Sequence, residues 1–245
     1  MRRVFALLLP GAMRAASAQT PLREIHGGGL HALVHAPSER AAVMPLLLYL
    51  HGAGESGSNV RELISEGATG TPPVELEHGT ALPVLASRFV MVAPQTDRGW
   101  SESVISEFMD YLLSDASGLG LDPRRCYVTG HSMGGGGALA AGATRRFAAV
   151  APVAPAGRVP PAALKGVPVW AFHGRNDVVV PSRLSESLIK GLRGLGAPEA
   201  ESRLTLYDDA PAPVGWPSYF GHASTIPAYA TEELYSWMLE RALGA

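Results

Sequence analysis

The most constraining feature of the sequence is a glycine-rich turn built around one serine. An apolar run at residues 126–129 leads into Gly130-His131-Ser132-Met133-Gly134, and a stretch of glycine and alanine follows. In a strained turn from a strand into a helix, a Cβ at position 130 or 134 would collide with the neighbouring backbone, so both positions require glycine. The pattern predicts a strand, a tight turn that lifts the Ser132 hydroxyl above a sheet, and a helix packed closely on that sheet.

Short apolar runs alternate with helical patterns along the rest of the chain. This alternation predicts an α/β fold, with a mostly parallel central sheet, helices on both faces and no large lid. The predicted strands are 22–36 (one or two strands), 46–50, 89–93, 126–129, 148–152, 169–172 and 204–207. The predicted helices are 59–65, 102–117, 133–145, 183–195 and 231–242. The segment 67–83 has the length and the proline and glycine content of a small cap.

The composition predicts one folded domain over residues 19–245 and excludes several classes of function. Hydrophobic residues make up 47% and charged residues 17% of the 245, so the chain can bury a sizeable core and is not of the disordered type. Twenty basic residues against 22 acidic ones leave no positive field to attract nucleic acid. The single Cys126 rules out an internal disulfide and a cysteine zinc cluster, and we expect neither a metal nor a cofactor.

The first 18 residues differ from the rest and predict a signal or transit peptide. Arg2 and Arg3 precede an apolar run at 4–13, and small residues at 16–18 offer a cleavage site. The run is about half of the ~20 residues that a membrane span needs, so no span is expected. The leader predicts a secreted or periplasmic protein, with an organellar or cytoplasmic location as the alternative.

The residues that would work with Ser132 are selected by their order along the chain. On a fold of this kind the acid and then the histidine follow the serine. Asp177 lies 45 residues after Ser132, in the loop that follows the predicted strand 169–172, and His222 lies another 45 residues on. Asp208 and Asp209 remain alternative acids. A serine, an imidazole base and an orienting carboxylate form an arrangement for nucleophilic acyl transfer.

Acyl transfer also needs N–H donors for the oxyanion of the tetrahedral intermediate. One should come from Met133, the residue after the serine, and the other from the loop that follows the strand 46–50. In that loop Ala53 is the first candidate and Gly54 the next. Glu55 is interpreted as a carboxylate that orders the loop by accepting backbone hydrogen bonds.

Four residues are candidates for a substrate pocket. Trp100 follows the predicted strand 89–93, and Trp216 lies in the loop that carries the histidine, so both should approach the site. Gly54 and His131 flank the serine and the oxyanion donors and complete this set. Ordinary packing is the alternative role for both tryptophans.

A second motif gives a competing interpretation. Gly52-x-Gly54-x-x-Gly57 follows a predicted strand, and Glu75 or Glu77 lies about 20 residues further on, as in a dinucleotide-binding fingerprint. Two prolines before these acids disfavour the strand that should deliver them. Dinucleotide binding also leaves the order of serine, acid and histidine unexplained, so it is the weaker interpretation.

Taken together, these motifs resemble the α/β-hydrolase superfamily. Within it, the chain is similar to esterases and predicted peptidases related to polyhydroxybutyrate depolymerases and feruloyl esterases. The resemblance covers most of the chain from about residue 45, and it rests on the segments 49–57, 92–95, 122–135, the Asp177 loop, and Gly221-His222 before 233–239.

The resemblance implies that Ser132, Asp177 and His222 are the nucleophile, the orienting acid and the general base of a carboxylic-ester hydrolase. The expected partner is a small-molecule ester or acyl substrate, and the resemblance does not define the oligomeric state. A serine peptidase of the prolyl-oligopeptidase type would use the same three residues, and a non-catalytic ligand-binding hydrolase fold is the third alternative. The chain lacks the paired cysteines and binding domain of secreted depolymerases, which weighs against activity on insoluble polymer.

Overall fold

The computed structural model describes residues 21–244, so the predicted leader at 1–18 lies outside the described residues. Eight strands form one sheet: β1 (Arg23–Gly27), β2 (Leu30–His35), β3 (Met44–Leu50), β4 (Val90–Gln95), β5 (Leu121–His131), β6 (Ala149–Val153), β7 (Val169–Gly174) and β8 (Ser202–Tyr207). Their order across the sheet is β1-β2-β4-β3-β5-β6-β7-β8. β2 is antiparallel to β1 and β4, and the other neighbouring pairs are parallel. The mostly parallel sheet is therefore confirmed.

The described residues contain seven α-helices, of which the first five lie between strands and the last two follow β8: α1 (Pro72–His78), α2 (Pro83–Arg88), α3 (Glu102–Leu113), α4 (Met133–Ala143), α5 (Arg183–Gly194), α6 (Thr225–Tyr229) and α7 (Glu232–Leu239). Short 3-10 helices occupy Ala53–Glu55, Val60–Ile64, Glu66–Ala68, Asp115–Ser117, Pro161–Leu164 and Glu199–Glu201. None of the helices in residues 21–244 is both long and apolar enough to cross a membrane.

The core lies on both faces of the sheet. Every residue of β3 is buried, and successive side chains point to opposite faces. Leu46 and Leu48 therefore belong to one apolar layer, covered by α3, α4 and α5, whereas Leu47 and Tyr49 belong to the other, covered by α1, α2 and α7. Burial on both faces explains why this strand is continuously apolar.

The predicted cap at 67–83 is wrong, because this segment contains a helix that packs on the sheet. Pro72 and Pro73 occupy the first turn of α1, where their fixed φ suits a helix and no N–H is needed. The helix ends at Gly79, whose φ of 70° is left-handed. α1 contacts β2 and β4 and buries Leu76. The prolines that predict a loop in the sequence start a helix here.

Other elements differ from the predictions in type or in length. The predicted segment 22–36 forms two strands, separated by a turn in which Gly28 and Gly29 have φ of 53° and 75°. The predicted helix 59–65 is a 3-10 helix, not an α-helix. α3 stops four residues before its predicted end, because Ser114 turns to extended backbone and a 3-10 turn follows. The short helix α6 is absent from the predictions.

Candidate active site

The turn at Ser132 joins the end of β5 directly to α4. Ser132 has φ 55° and ψ −114°, a conformation that costs a residue other than glycine on the order of 1–3 kcal/mol. The Ser132 N–H donates to the carbonyl of Val153 (3.0 Å), and the Ser132 carbonyl accepts from the N–H groups of Gly136 (3.0 Å) and Ala156 (2.8 Å). These bonds hold the strained turn in place.

The glycines of the turn are required by contacts with the backbone. A Cβ on Gly130 would lie 2.6 Å from the carbonyl oxygen of Leu50, and one on Gly134 would lie 2.6 Å from that of His51. Both distances are shorter than any that a real Cβ makes. The start of α4 therefore lies directly against the end of β3, as the two glycines in the sequence predict.

The structure brings together the three side chains selected by their order in the sequence. The Nε2 atom of His222 is 3.0 Å from the Oγ of Ser132, and its Nδ1 is 2.9 Å from Oδ2 of Asp177. His222 and Asp177 are buried, with 5% and 8% of their surfaces exposed. Both distances are within hydrogen-bond reach, so the three groups form one continuous chain of hydrogen bonds.

The surroundings of Asp177 keep its carboxyl group ionised. Burial alone would raise the pKa of this carboxyl, but hydrogen bonds from His173, His222 and the Val180 N–H outweigh burial and hold the pKa well below its usual range. Its Oδ1 accepts from the N–H groups of Val179 (2.9 Å) and Val180 (2.8 Å). An ionised carboxylate can only accept, so Nδ1 of His222 carries a proton and Nε2 is free to accept one from Ser132.

His173 braces the loop that carries the acid. Its Nε2 donates to the carbonyl of Val180 at 2.8 Å, and Oδ2 of Asp177 lies further off at 3.4 Å. With the proton on Nε2, its Nδ1 accepts from the hydroxyl of Ser185 at 2.8 Å. His173 is fully buried, so these hydrogen bonds fix the loop. In the sequence His173 marks only the start of the loop.

The acid loop and the histidine loop are in direct backbone contact. Gly221 has φ 78°, and a Cβ there would collide with the backbone of Asn176 and Asp177. The N–H of Val178 donates to the carbonyl of Phe220 at 3.0 Å. These contacts set how closely His222 approaches the carboxylate, and they explain the glycine that precedes the histidine.

The alternative acids have other partners. Asp208 is exposed and pairs with Arg175 at 2.9 Å. Asp209 accepts from the amide of Asn176 at 3.0 Å. The Asn176 side chain also exchanges two hydrogen bonds with the backbone of Ala210 (2.9 and 3.0 Å), which ties the acid loop to the chain after β8. The local sequence pattern does not predict this role of Asn176.

The candidate oxyanion donors are two N–H groups at the starts of helical segments. Met133 begins α4, and Ala53 begins the 3-10 helix that follows β3. Neither N–H has an acceptor among residues 21–244. A Cβ on Gly52 would lie 3.5 Å from the carbonyl oxygen of His131, so the loop lies against the serine turn. A Cβ on Gly54 would meet no atom within 4 Å, so this position faces open space.

The loop that holds Ala53 is anchored by His51. The Nε2 atom of His51 accepts from the N–H of Thr96 (3.1 Å), so Nδ1 carries the proton and donates to the carbonyl of Gly52 (2.6 Å). Trp100 donates its indole N–H to the carbonyl of His51 (3.0 Å) and packs against Gly137 of α4. The structure thus accounts for Trp100 by packing, which is the alternative to the predicted pocket wall.

Glu55 lies beside this loop. One carboxylate oxygen, Oε2, would be 3.1 Å from a Cβ on Gly52, and this buried atom has no hydrogen-bond partner among the described residues. Burial raises the pKa of Glu55, and backbone N–H groups of Glu55 and Gly52 partly oppose that rise. One oxygen of the carboxyl group therefore has no partner in the described part of the chain, and the role of Glu55 in ordering the loop stays a prediction.

His131 supports the backbone of His222. Its Nε2 donates to the carbonyl oxygen of His222 at 2.7 Å, and the two rings lie 4.7 Å apart. Burial, with a smaller contribution from neighbouring His222, lowers the pKa of His131 to about 3. A neutral His131 places no positive charge next to the imidazole of His222. The sequence predicts His131 as a pocket residue, whereas these contacts are those of a support.

Trp216 is exposed, as expected for a residue next to a substrate. Its ring lies 5.2 Å from that of Tyr219, and the Tyr219 ring lies edge-on to His222 at 6.4 Å. Trp216 is therefore separated from His222 by one aromatic ring.

The glycine motif after β3 does not form the helix start that dinucleotide binding requires. It leads into a three-residue 3-10 helix that ends in extended backbone at Ser56. No group of three or more His, Cys, Asp or Glu side chains within residues 21–244 is arranged to hold a metal ion.

Several solved structures are similar to this chain. A thermostable esterase is 25% identical with a TM-score of 0.71, and the match covers 87% of this chain and 59% of that one. Esterase 2 of Thermogutta terrifontis, phosphoramylated by tabun, is 14% identical with a TM-score of 0.61 and coverages of 93% and 97%. Est1E from Butyrivibrio proteoclasticus is 16% identical with a TM-score of 0.57 and coverages of 90% and 100%.

The chain thus spans about 59% of the length of the thermostable esterase. No family model and no curated protein matches it. The sheet order, the serine turn and the similar structures together define the class: this protein has the α/β-hydrolase fold.

Proposed function

We propose that this protein is a serine hydrolase that cleaves carboxylic esters. The observation that carries the proposal is the continuous chain of hydrogen bonds from Asp177 through His222 to Ser132, with the serine held on a strained turn. A serine hydroxyl is a weak nucleophile until an adjacent base can take its proton. Nε2 of His222 lies 3.0 Å from the Ser132 hydroxyl oxygen, and this distance supports His222 as that base.

In the first half of the reaction, Ser132 Oγ attacks the carbonyl carbon of the ester while Nε2 of His222 takes the hydroxyl proton. Asp177 holds the imidazole in the tautomer with its proton on Nδ1 and stabilises the imidazolium that forms. The N–H groups of Met133 and Ala53 donate to the oxyanion. The bond between the acyl carbon and the alcohol oxygen then breaks, and that oxygen leaves with the proton from His222.

In the second half, water attacks the acyl-enzyme. His222 now accepts a proton from the water and returns one to Ser132 when the acid product departs. The neutral state of His131 assists both halves, because a cation there would oppose the imidazolium of His222.

The similar structures support esters as the substrates. Two of the three described above are esterases, and one of those carries a modification by tabun. A serine peptidase would use the same hydrogen-bonded groups, so the experiment must compare the two bonds directly.

The test measures turnover of p-nitrophenyl esters and of peptide p-nitroanilides, with a fluorophosphonate probe to report an activated serine. We expect ester turnover, labelling of Ser132, and loss of about 10⁶-fold in kcat for Ser132→Ala, because the three groups act as one unit. Ser38→Ala, which changes an exposed serine, is the matched control and should retain labelling and turnover. Labelling of another serine, or cleavage of amides in preference to esters, would contradict the proposal.

A further inference from the structure

Exposed apolar side chains concentrate in the sequence around the acid and the histidine of the triad. Of nine large hydrophobic side chains exposed in residues 21–244, seven lie in the two segments 178–179 and 214–226. The other two, Val43 and Leu195, lie outside these two segments. We call the seven the apolar rim: Val178, Val179, Val214, Trp216, Tyr219, Phe220 and Ile226.

The residues of the apolar rim lie in two segments that contain no Asp, Glu, Lys or Arg. No Asp, Glu, Lys or Arg occurs in 178–182 or in 210–231, although 17% of the whole sequence is charged. A surface of this kind has no charged side chain to pair with a charged group of a ligand. Contact with an apolar group is favourable, because it removes apolar area from water on both sides. It therefore suits an uncharged, apolar ligand.

The aromatic residues of the apolar rim are held in a fixed order that ends at the base. The N–H of Trp216 donates to the carbonyl of Pro213 (3.0 Å), that of Tyr219 to Trp216 (2.9 Å), and that of His222 to Tyr219 (3.1 Å). These consecutive turns bring the rings of Trp216, Tyr219 and His222 next to one another. Trp216 is 52% exposed and Tyr219 38%, so both offer ring surface to a ligand.

The chemistry of the proposed reaction determines which part of an ester meets these rings. The carbonyl carbon must lie against Ser132 and its oxygen against the oxyanion donors. The alcohol oxygen must approach Nε2 of His222, because it leaves with the proton that Nε2 holds. The alcohol group of the ester is therefore the part directed toward the histidine loop.

We propose that Trp216 and Tyr219 bind the alcohol group of the ester and make this protein selective for esters of apolar, arylalkyl alcohols. This inference rests on the proposed function and deepens it, since it names the side of the ester bond at which selection occurs. Flat rings stack well on exposed tryptophan and tyrosine, and such pairs favour offset or edge contacts.

The test varies one side of the ester at a time. The first series has acetyl as the constant acyl group and ethyl, hexyl, 2-phenylethyl and 2-(2-naphthyl)ethyl alcohols, all of them alkanols of comparable acidity. The second series has ethanol as the constant alcohol and acyl groups of matching size. We expect kcat/KM to rise about tenfold or more along the first series, and the rise to exceed that in the second.

The variants Trp216→Ala and Tyr219→Ala should lower the ratio of kcat/KM for naphthylethyl acetate to that for ethyl acetate about 5- to 10-fold each, mainly through KM. Val43→Ala and Leu195→Ala, which change the two exposed apolar residues outside the apolar rim, should leave the ratio unchanged.

Four results would overturn the inference. A flat alcohol series, or a selectivity ratio that Trp216→Ala does not move, would overturn it alone, provided that ethyl acetate is turned over and Ser132 is labelled. A dimer in analytical ultracentrifugation that Trp216→Ala dissociates would show that the rim is an interface between two copies. Absence of both ester turnover and labelling would overturn the proposed function and this inference together.

Discussion

The serine turn and the histidine loop lie on opposite sides of the same hydrogen bond, yet they are built differently. The serine turn is held by glycines that have no room for a Cβ and by backbone bonds to β6. The histidine loop meets the acid loop through Gly221 on one side and presents Trp216, Tyr219 and Phe220 to solvent on the other. The geometry for chemistry therefore depends on buried backbone, whereas the surface available for selection depends on exposed side chains.

Among the effects that test this comparison, the largest is expected at the acid, on its buried side. Asp177→Asn should lower kcat about 10⁴-fold without unfolding the protein, because an amide can donate to His222 and stabilise the wrong tautomer. Asp208→Asn is the matched control, since Asp208 is exposed and pairs with Arg175. Steady-state ester kinetics and circular dichroism check both variants. If Asp208→Asn lowers kcat strongly and Asp177→Asn lowers it only slightly, the acid is misassigned.

A smaller effect tests whether the serine turn depends on close backbone contact. Gly134→Ala adds a single methyl that meets the backbone at the end of β3, and we expect it to destabilise the fold by roughly 1–3 kcal/mol and to lower activity by displacing Ser132. Gly194→Ala is the control at a helical glycine where a Cβ meets no atom within 4 Å. Urea denaturation of both variants measures the difference. Equal stability of the two would refute the close-contact explanation.

The smallest effect is a pH-dependent change in stability at His131. This residue precedes Ser132 and donates a hydrogen bond to the carbonyl of His222, so it connects the serine turn with the histidine loop. Its pKa is about 3 in the folded state, against an ordinary value of 6.5. Below pH 6.5 the unfolded chain takes up a proton that the folded protein does not, so this residue lowers stability as pH falls, by up to about 1.4 kcal/mol per unit. Above pH 6.5 it contributes no pH dependence.

His131→Gln removes that titration and retains an N–H donor for the carbonyl of His222. The difference in unfolding free energy between the parent and the variant should therefore shift in favour of the variant by about 2 kcal/mol between pH 7 and pH 5. This window stays above the range in which Asp177 is protonated, since hydrogen bonds hold the pKa of that group below its usual value. Urea titrations at the two pH values provide the measurement, and a constant difference would show that His131 titrates normally in the folded protein.

The sequence predicted much of the fold because its strongest signals are local. Continuous apolar runs placed the central strands, and the glycines around Ser132 placed the turn. The predictions failed where a local signal had two meanings. Pro72 and Pro73 predict a loop as readily as a helix start, and only burial of α1 against the sheet decides between them.

The sequence by itself determined the type of turn at Ser132, because a Cβ at position 130 would meet the backbone of Gly134 only four residues further on. It also determined the order of serine, acid and histidine along the chain. The tertiary structure decided which groups meet. It joined His222 to Asp177 and paired Asp208 with Arg175, and it placed Trp100 under the loop of Ala53. A hydrogen bond between side chains 45 residues apart depends on which strands are neighbours and on how their loops pack. The local sequence pattern predicts neither the neighbouring strands nor the packing of the loops.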